Sequence, residues 1–318
     1  MVSMDFSKHG NLERAYIQEV YFPEELKDVR VYIKRIDLIH QYISGNKWFK
    51  LKYNLIHAVE NGYDTILTFG GAYSNHIHAT AAAGKEFGLN TIGVIRGEEH
   101  LPLNPTLSFA SSNGMKLYYV DRKNYRNKHL PEFQEILREK FGSVYIVPEG
   151  GTNLLALKGC SEIPSLIEID YDYICTACGT AGTMSGVIAG IDGNKKILGF
   201  SVLRGGAFLI KQAEKLINEY CGKTFSNWSI NLDYHFGGYA KINHELVLFM
   251  RQFEEINGIP LDPVYTGKMM YGIFDLARKG YFKPGAKIVA LHTGGLQGIE
   301  GMKEKMKLML LQGKINSI

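Results

Sequence analysis

Tyr173-Ile174-Cys175-Thr176-Ala177-Cys178-Gly179-Thr180-Ala181-Gly182-Thr183 is the stretch that decides the fold. Its opening, Tyr173–Cys175, is a short apolar run of the kind that forms a buried strand. Small residues follow, and Met184, Val187, Ile188 and Ile191 then recur at helical spacing. A strand that feeds a helix through a glycine-rich turn is half of a βαβ unit. Such a turn aims open backbone N–H groups at one point, and the helix dipole favours an anion there. Thr180 and Thr183 add hydroxyl donors. No Walker lysine and no G-x-G-x-x-G accompany the turn, which weakens a nucleotide reading. The alternative is a tight strand–helix turn that holds nothing.

Outward from this stretch the pattern repeats. Thr65–Phe69, Thr91–Ile95, Leu117–Val120, Val144–Val147, Ile197–Val202 and Lys287–Leu291 are candidate strands. Helical segments such as Pro131–Phe141 and His244–Asn257 lie between them, and Asn104-Pro105 is a good N-cap and N1 pair for another. The βαβα order predicts an α/β protein with mostly parallel, twisted sheets and right-handed crossovers. In such folds ligands sit at the carboxyl ends of strands. Phe69 leads to Gly70-Gly71-Ala72-Tyr73-Ser74-Asn75-His76, and Leu291 leads to His292-Thr293-Gly294-Gly295. Together with Gly179–Thr183 they predict one ligand site at a shared sheet edge.

The whole chain narrows the function classes. A length of 318 residues suggests about two domains. No run approaches the roughly 18 apolar residues of a spanning helix, and Met1–Arg14 has no apolar core of a secretory leader. A cytoplasmic protein without a membrane partner is the expectation. The 36 basic and 32 acidic residues are interleaved, which argues against a nucleic-acid partner. Lys303–Lys307, broken by Glu304 and Met306, reads as the solvated face of a terminal helix. Cys175 and Cys178 form a C-x-x-C, but no second ligand pair has zinc-site spacing. Packing is the favoured role for that pair.

Two further stretches bear chemistry. In Ser44-Gly45-Asn46-Lys47-Trp48-Phe49-Lys50-Leu51-Lys52-Tyr53, Trp48, Leu51, Leu55 and Val59 fall at helical spacing, so a helix starts near Asn46. Lys47 and Lys50 then occupy a first turn where the dipole disfavours a cation. A desolvated amine with a lowered pKa suits Schiff-base chemistry. A solvated face is the ordinary alternative for lysines so closely spaced. In Ser74-Asn75-His76, Ser74 suits an acid, base or nucleophile, and equally an N-cap. His76 and His78 form H-x-H without a nearby carboxylate as third ligand, so no metal is expected.

Taken in order, Ser44-Gly45-Asn46-Lys47 with Lys50-Leu51-x-Tyr53, Gly70-Gly71 with Ser74-Asn75-His76, Gly179–Thr183, Asp262-Pro263-Val264-Tyr265-Thr266-Gly267-Lys268 and His292-Thr293-Gly294-Gly295 resemble one family. It is the 1-aminocyclopropane-1-carboxylate (ACC) deaminase and D-cysteine desulfhydrase group, pyridoxal 5′-phosphate (PLP) enzymes with the tryptophan synthase β-subunit fold, or fold type II. The resemblance runs from about Val29 to Gly295. It implies that Lys47 carries the cofactor as a Schiff base. It implies that Ser74 and Asn75 act on substrate and on the cofactor's phenolic oxygen. Gly179, Thr180, Ala181, Gly182 and Thr183 would hold the phosphate. Tyr265 and Tyr239 would lie near the substrate, and Thr293 would face the pyridine nitrogen. Ring-opening members of the family resemble one another in having Glu and Leu where this chain has Thr266 and Thr293, the desulfhydrase-like pair. The resemblance also implies a homodimer and two α/β domains, the larger from residues 1–49 and 156–318 and the smaller from 50–155.

The chain departs from the family at Ile36 within Lys34-Arg35-Ile36-Asp37, where Glu is common, and at Tyr73, where Gln is common. The usual N-terminal Pro-Thr-Pro is not recognisable, and Ile191 to Tyr239 is short. These departures bear on the substrate more than on the cofactor. The expected activity is α,β-elimination from a small amino acid such as D-cysteine, giving a 2-oxo acid and ammonia. The alternatives are ACC ring opening, D-serine deamination and a non-catalytic module that binds a phosphorylated metabolite.

Overall fold

The computed structural model describes residues 5–22 and 28–315. Met1–Met4, the start of the segment read for a leader, lie outside them. The chain runs β1 (Ile17–Val20), β2 (Arg30–Lys34), α1 (Asn46–Glu60), β3 (Thr65–Gly70), α2 (Asn75–Phe87), β4 (Asn90–Arg96), α3 (Pro105–Ser112) and β5 (Met115–Val120). It continues through α4 (Arg122–Tyr125), α5 (Pro131–Phe141), β6 (Tyr145–Val147), α6 (Leu154–Cys160), β7 (Tyr173–Cys178), α7 (Gly182–Ile191) and β8 (Lys196–Ser201). The last elements are α8 (Phe208–Cys221), β9 (Trp228–Asn231), α9 (His244–Asn257), α10 (Thr266–Arg278), β10 (Lys287–Leu291), α11 (Gln297–Glu300) and α12 (Lys303–Ile315).

These strands form two sheets. A six-stranded sheet has the order β1-β2-β10-β7-β8-β9, and a four-stranded sheet has the order β5-β4-β3-β6. Every pairing is parallel except β1 with β2. The expected α/β class with mostly parallel sheets is what forms. Each strand read from the sequence is present, and β7 runs on through Cys178. The strands without a sequence reading have weak apolar signals. β1 and β9 are edges with one buried residue each, and half-solvated edges lack the continuous apolar run of a central parallel strand. In β2, charged Arg30 and Lys34 bracket buried Val31 and Ile33.

Central strands supply the core. Ile174, Ile288, Val289 and Leu291 are all fully buried, and each such side chain contributes about 1.5–3 kcal/mol through burial. Cys178 joins the apolar layer on one face of the large sheet, with Ile174 and Val289. Cys175 joins the other, with Ala177 and Ile288. Odd spacing along a strand points the two thiols to opposite faces, so this C-x-x-C is packing, and both cysteines are free.

One expectation is corrected. The three loops do not share one sheet edge, because β3 belongs to the small sheet and β7 and β10 to the large one. The chain crosses between sheets twice, by way of α1 and again between β6 and β7. The carboxyl ends of the two sheets therefore meet across a cleft, where alternating strands and helices alone would give a single continuous edge.

Candidate active site

The cleft encloses a cavity of about 700 Å³ lined by Lys47, Ser74, Asn75, Gly179, Thr180, Thr183, Tyr239, Tyr265 and Thr293, among others. A second, more open hollow of about 500 Å³ lies at the amino ends of β7 and β8, beside Tyr173, Lys196 and Lys283, and gathers none of the motif residues.

The lysine cluster separates into three environments. Lys52 is a surface group that pairs with Glu162 at 2.8 Å. Lys50 is 1% exposed, and its Nζ donates to Gly150 O at 3.0 Å, Thr152 Oγ1 at 3.1 Å and Thr180 Oγ1 at 3.5 Å. Lys47 faces the cavity, and among the described residues its Nζ makes no hydrogen bond. Burial, and then the neighbouring Lys50, hold its pKa well below the ordinary lysine value. Burial lowers the pKa of Lys50 as well, but its Nζ is occupied by three acceptors, whereas Lys47 lines the cavity.

Close backbone approaches bring the motifs together. Gly45 has φ +63°, and a Cβ there would lie 2.1 Å from Thr293 O. A Cβ on Gly294 would meet Ser44 Oγ at 2.4 Å, and one on Gly295 would meet Asn75 Nδ2 at 2.5 Å. Only glycine lets these chains touch. Asn46 Nδ2 donates to Thr183 Oγ1 at 2.8 Å, tying the lysine turn to the Gly-Thr-Ala-Gly-Thr loop. Beneath the lysine turn, Arg35 forms a buried two-point pair with Asp37 at 2.9 and 2.8 Å. Ser44 Oγ donates to Asp37 O at 2.9 Å.

The Gly-Thr-Ala-Gly-Thr loop suits an anion. No side chain caps α7, so its first N–H groups are open to an acceptor, and the dipole adds positive potential. Thr180, Thr183 and the Lys50 ammonium stand around the same point. An amine, an anion seat and a cavity wide enough for a substituted ring match the parts of PLP.

On the large-sheet wall, Tyr239 and Tyr265 meet edge to face with ring centroids 6.1 Å apart. Burial first, and then Tyr239, push the Tyr265 phenol well above its ordinary pKa, so it keeps its proton. A Cβ on Gly179 would lie 2.8 Å from the Tyr265 ring, so that glycine is needed for the contact. Asp262 accepts from Val264 N, Tyr265 N and Thr266 N at 2.9, 2.8 and 2.8 Å, and from Thr266 Oγ1 at 2.7 Å. Burial raises its pKa.

On the small-sheet wall, Ser74 lines the cavity and also caps α2, accepting from His76 N at 3.2 Å and Ile77 N at 3.3 Å. Asn75 Oδ1 accepts from Gln297 Nε2 at 2.8 Å, which leaves its amide donor facing Gly295. Thr68 donates to Val147 O, so His76 Nε2 must donate to Thr68, at 2.8 Å. His78 stacks on Phe109 at 3.8 Å. Among the described residues no group of His, Cys, Asp or Glu could hold a metal ion.

Of the residues singled out in the sequence, Thr266 stands apart. It is fully buried and its hydroxyl is spent on Asp262, so it shapes the site through that carboxylate and does not line the cavity. Ala181 and Gly182 lie behind the loop, where a Cβ on Gly182 would come 3.1 Å from Lys50 Nζ. Lys305, within the segment read as a solvated face, reaches the cavity wall. Sequence reasoning assigned no role to Lys50, Arg96 or Glu149. Lys50 carried a signal, since a helix of this pitch turns i and i+3 to one side. Arg96 and Glu149 carried none.

A cleft between two mostly parallel sheets, with a buried lysine of lowered pKa and a helix N-terminus free of any side-chain cap, fits a class of enzyme that holds a phosphorylated aldehyde cofactor. A family model described as pyridoxal-phosphate dependent enzyme matches residues 17–294. A protein of Pyrococcus horikoshii provisionally named 1-aminocyclopropane-1-carboxylate deaminase is 34% identical over 91% of this chain and 92% of its own. A mitochondrial protein of Arabidopsis thaliana, named a bifunctional D-cysteine desulfhydrase/1-aminocyclopropane-1-carboxylate deaminase, is 29% identical over 88% of this chain and 76% of its own. The crystal structure of an ACC deaminase homologue superposes with a TM-score of 0.81 at 33% identity, covering 93% of this chain and 94% of that one. The chain belongs to the pyridoxal-phosphate dependent enzymes, in their ACC deaminase and D-cysteine desulfhydrase group. Its cofactor is pyridoxal 5′-phosphate.

Proposed function

We propose that the enzyme converts D-cysteine and water into pyruvate, ammonia and hydrogen sulfide, the Cβ–S bond breaking with its electron pair leaving on sulfur. When bound, the cofactor supplies the electron sink that lets a proton leave the α-carbon. Lys47 supplies the amine that holds it. Lys50, Thr180, Thr183 and the N–H groups from Gly179 to Thr183, with Ala181 and Gly182 backing the loop, would hold its phosphate, and the amide donor of Asn75 would serve its phenolic oxygen. Ser74 binds the substrate and moves a proton. Tyr239 and Tyr265 stay protonated and donate toward the leaving group.

One observation carries the choice of substrate. Thr293 lines the cavity, while the nearby Asp262 has both oxygens engaged by its own turn. Among the described residues lining the cavity the other carboxylate, Glu149, is held by Lys128 and Tyr125, so none stands free to hold a proton on the pyridine nitrogen. A hydroxyl partner leaves a weaker electron sink, sufficient to expel a thiolate and poor for opening a cyclopropane. The names of the relatives favour ACC as a second reading. Assaying both compounds side by side decides between them. Pyruvate from D-cysteine is expected to form faster, and faster 2-oxobutanoate formation from ACC would overturn the choice.

Two domains divided at residues 49/50 and 155/156, with the cofactor between them, complete this reading, and the two crossings of the chain support it. So does a cytoplasmic homodimer. All four cysteines are free thiols, as in a reducing compartment, and exposed Leu248, Ile256, Leu308 and Leu311 on α9 and α12 supply apolar surface.

A further inference from the structure

The loop that carries Tyr239 has an unusual backbone. Phe236, Gly237, Gly238 and Ala240 have φ of 51°, 93°, 120° and 55°. Phe236 and Ala240 are L-residues in a region that favours glycine, so the surroundings must impose this shape. Two consecutive turns make it. Gly238 N donates to His235 O at 3.0 Å, and Lys241 N donates to Gly238 O at 3.1 Å. The side chain of Lys268, fully buried, reaches both turns from below. Its Nζ donates to the same His235 O at 2.9 Å and the same Gly238 O at 2.7 Å. Seven residues further along α10, Asp275 accepts from Tyr234 OH at 2.7 Å, so the same helix also fastens the approach to the loop.

We propose that Lys268 is a positioning residue that sets Tyr239 against Tyr265 by bolting together the two turns that meet at Gly238, immediately before it. A buried ammonium is retained only where acceptors surround it, and both acceptors here belong to the backbone of one loop. The first turn ends and the second begins at Gly238, the residue before Tyr239. Lys268 does not line the cavity, and its Nζ bonds the carbonyls of His235 and Gly238, not the Tyr239 side chain. It acts by fixing the carbonyl from which the Tyr239 peptide departs. Without it, each carbonyl keeps one backbone N–H, so the chain still folds but the two turns are free to move relative to each other.

The proposal rests on the assignment of Tyr239 to the site, and its test separates the two. Lys268→Met is compared with Tyr239→Phe and with the double variant, each loaded with PLP. Turnover is measured on whichever of D-cysteine and ACC the wild type consumes, and amide exchange is followed over residues 233–241. The expected results are faster exchange in that segment and kcat/KM lowered about ten-fold or more in Lys268→Met. The double variant is expected to be no worse than Tyr239→Phe, because a residue that acts through Tyr239 adds nothing once its hydroxyl is gone. A Schiff-base absorption band that borohydride bleaches is expected in every variant. Multiplicative losses in the double variant, unchanged exchange, or near wild-type turnover in Lys268→Met would overturn the proposal. Absence of the band from the wild type, or full activity of Tyr239→Phe, would instead overturn the function on which it rests. Should Lys268→Met fail to fold, Lys268→Gln takes its place, and failure of both makes Lys268 a core requirement and ends the positioning role.

Discussion

The two walls of the cleft are held by different chemistry. The large-sheet wall stands on buried charge: the Arg35–Asp37 pair under the lysine turn, Asp262 collecting the N–H groups before α10, and Lys268 under the Tyr239 loop. On the small-sheet wall the buried groups are neutral, namely the Ser74 cap, His76 on Thr68 and His78 against Phe109, while its charges, Arg96 and Glu149, are not buried. Buried charges cost much to desolvate and cost more when one partner is removed. They fix geometry. Caps and ring contacts contribute less, and they tolerate change. The fixed wall carries the Gly179–Thr183 turn and the two phenols, and the adaptable wall carries Ser74 and Asn75.

The largest effect is expected where the walls meet. Lys47→Ala should abolish both turnover and the Schiff-base band, and a band that survives in Lys47→Ala but disappears in Lys50→Ala would move the amine to the wrong lysine. The next tests the fixed wall. Asp37→Ala leaves the Arg35 guanidinium buried and unpaired and should destabilise the protein by about 3–5 kcal/mol in urea unfolding. A loss as small as that of a helix cap would erase the contrast between the walls. Ser74→Ala tests the adaptable wall. It should cost only about 1 kcal/mol of stability while lowering turnover roughly 10²-fold with cofactor still bound. Near-normal turnover would return Ser74 to capping alone.

The smallest effect sharpens the comparison through pH. Burial first lowers the pKa of His78 from 6.5 to about 4. Between those values the unfolded chain takes up a proton that the folded chain refuses, so stability rises with pH across the window and is lost as pH falls through it. His78→Phe removes this dependence. Wild type should therefore lose stability relative to His78→Phe as pH drops from 6.5 toward 4, measured by thermal unfolding at each pH. A constant gap between the two would show that the ring does not resist protonation.

Much of this was legible in the sequence. The central strands were, because buried parallel strands carry unbroken apolar runs. The edges β1 and β9 were not, since one buried residue each is too little pattern. The motif residues Lys47, Ser74, Asn75, Tyr265 and Thr293 do converge, but the sequence does not report which two sheets they come from. Thr266 follows the family pattern in sequence, yet its hydroxyl turns to Asp262, a choice set by a turn four residues long and invisible to spacing alone. Lys268 stands in the same motif as Tyr265, and its role depends on a loop about thirty residues upstream in the chain that only folding brings above it.

The two crossings between the sheets are fastened to each other. Lys50 in α1 holds Gly150 O and Thr152 Oγ1, and the Asn54 and Asn153 amides bond reciprocally at 3.1 and 2.6 Å. Gly159 of α6 lies so close to α1 that a Cβ would come 1.8 Å from Phe49 O. Any turning of the small sheet against the large one must pivot on this stapled pair. Lys50, which also reaches Thr180, puts the start of the Gly-Thr-Ala-Gly-Thr loop at the fulcrum. The Ser74 turn, carried on β3, rides the lever arm. A point at the fulcrum barely travels, so whatever turning occurs displaces Ser74 far more than Lys50 and Thr180.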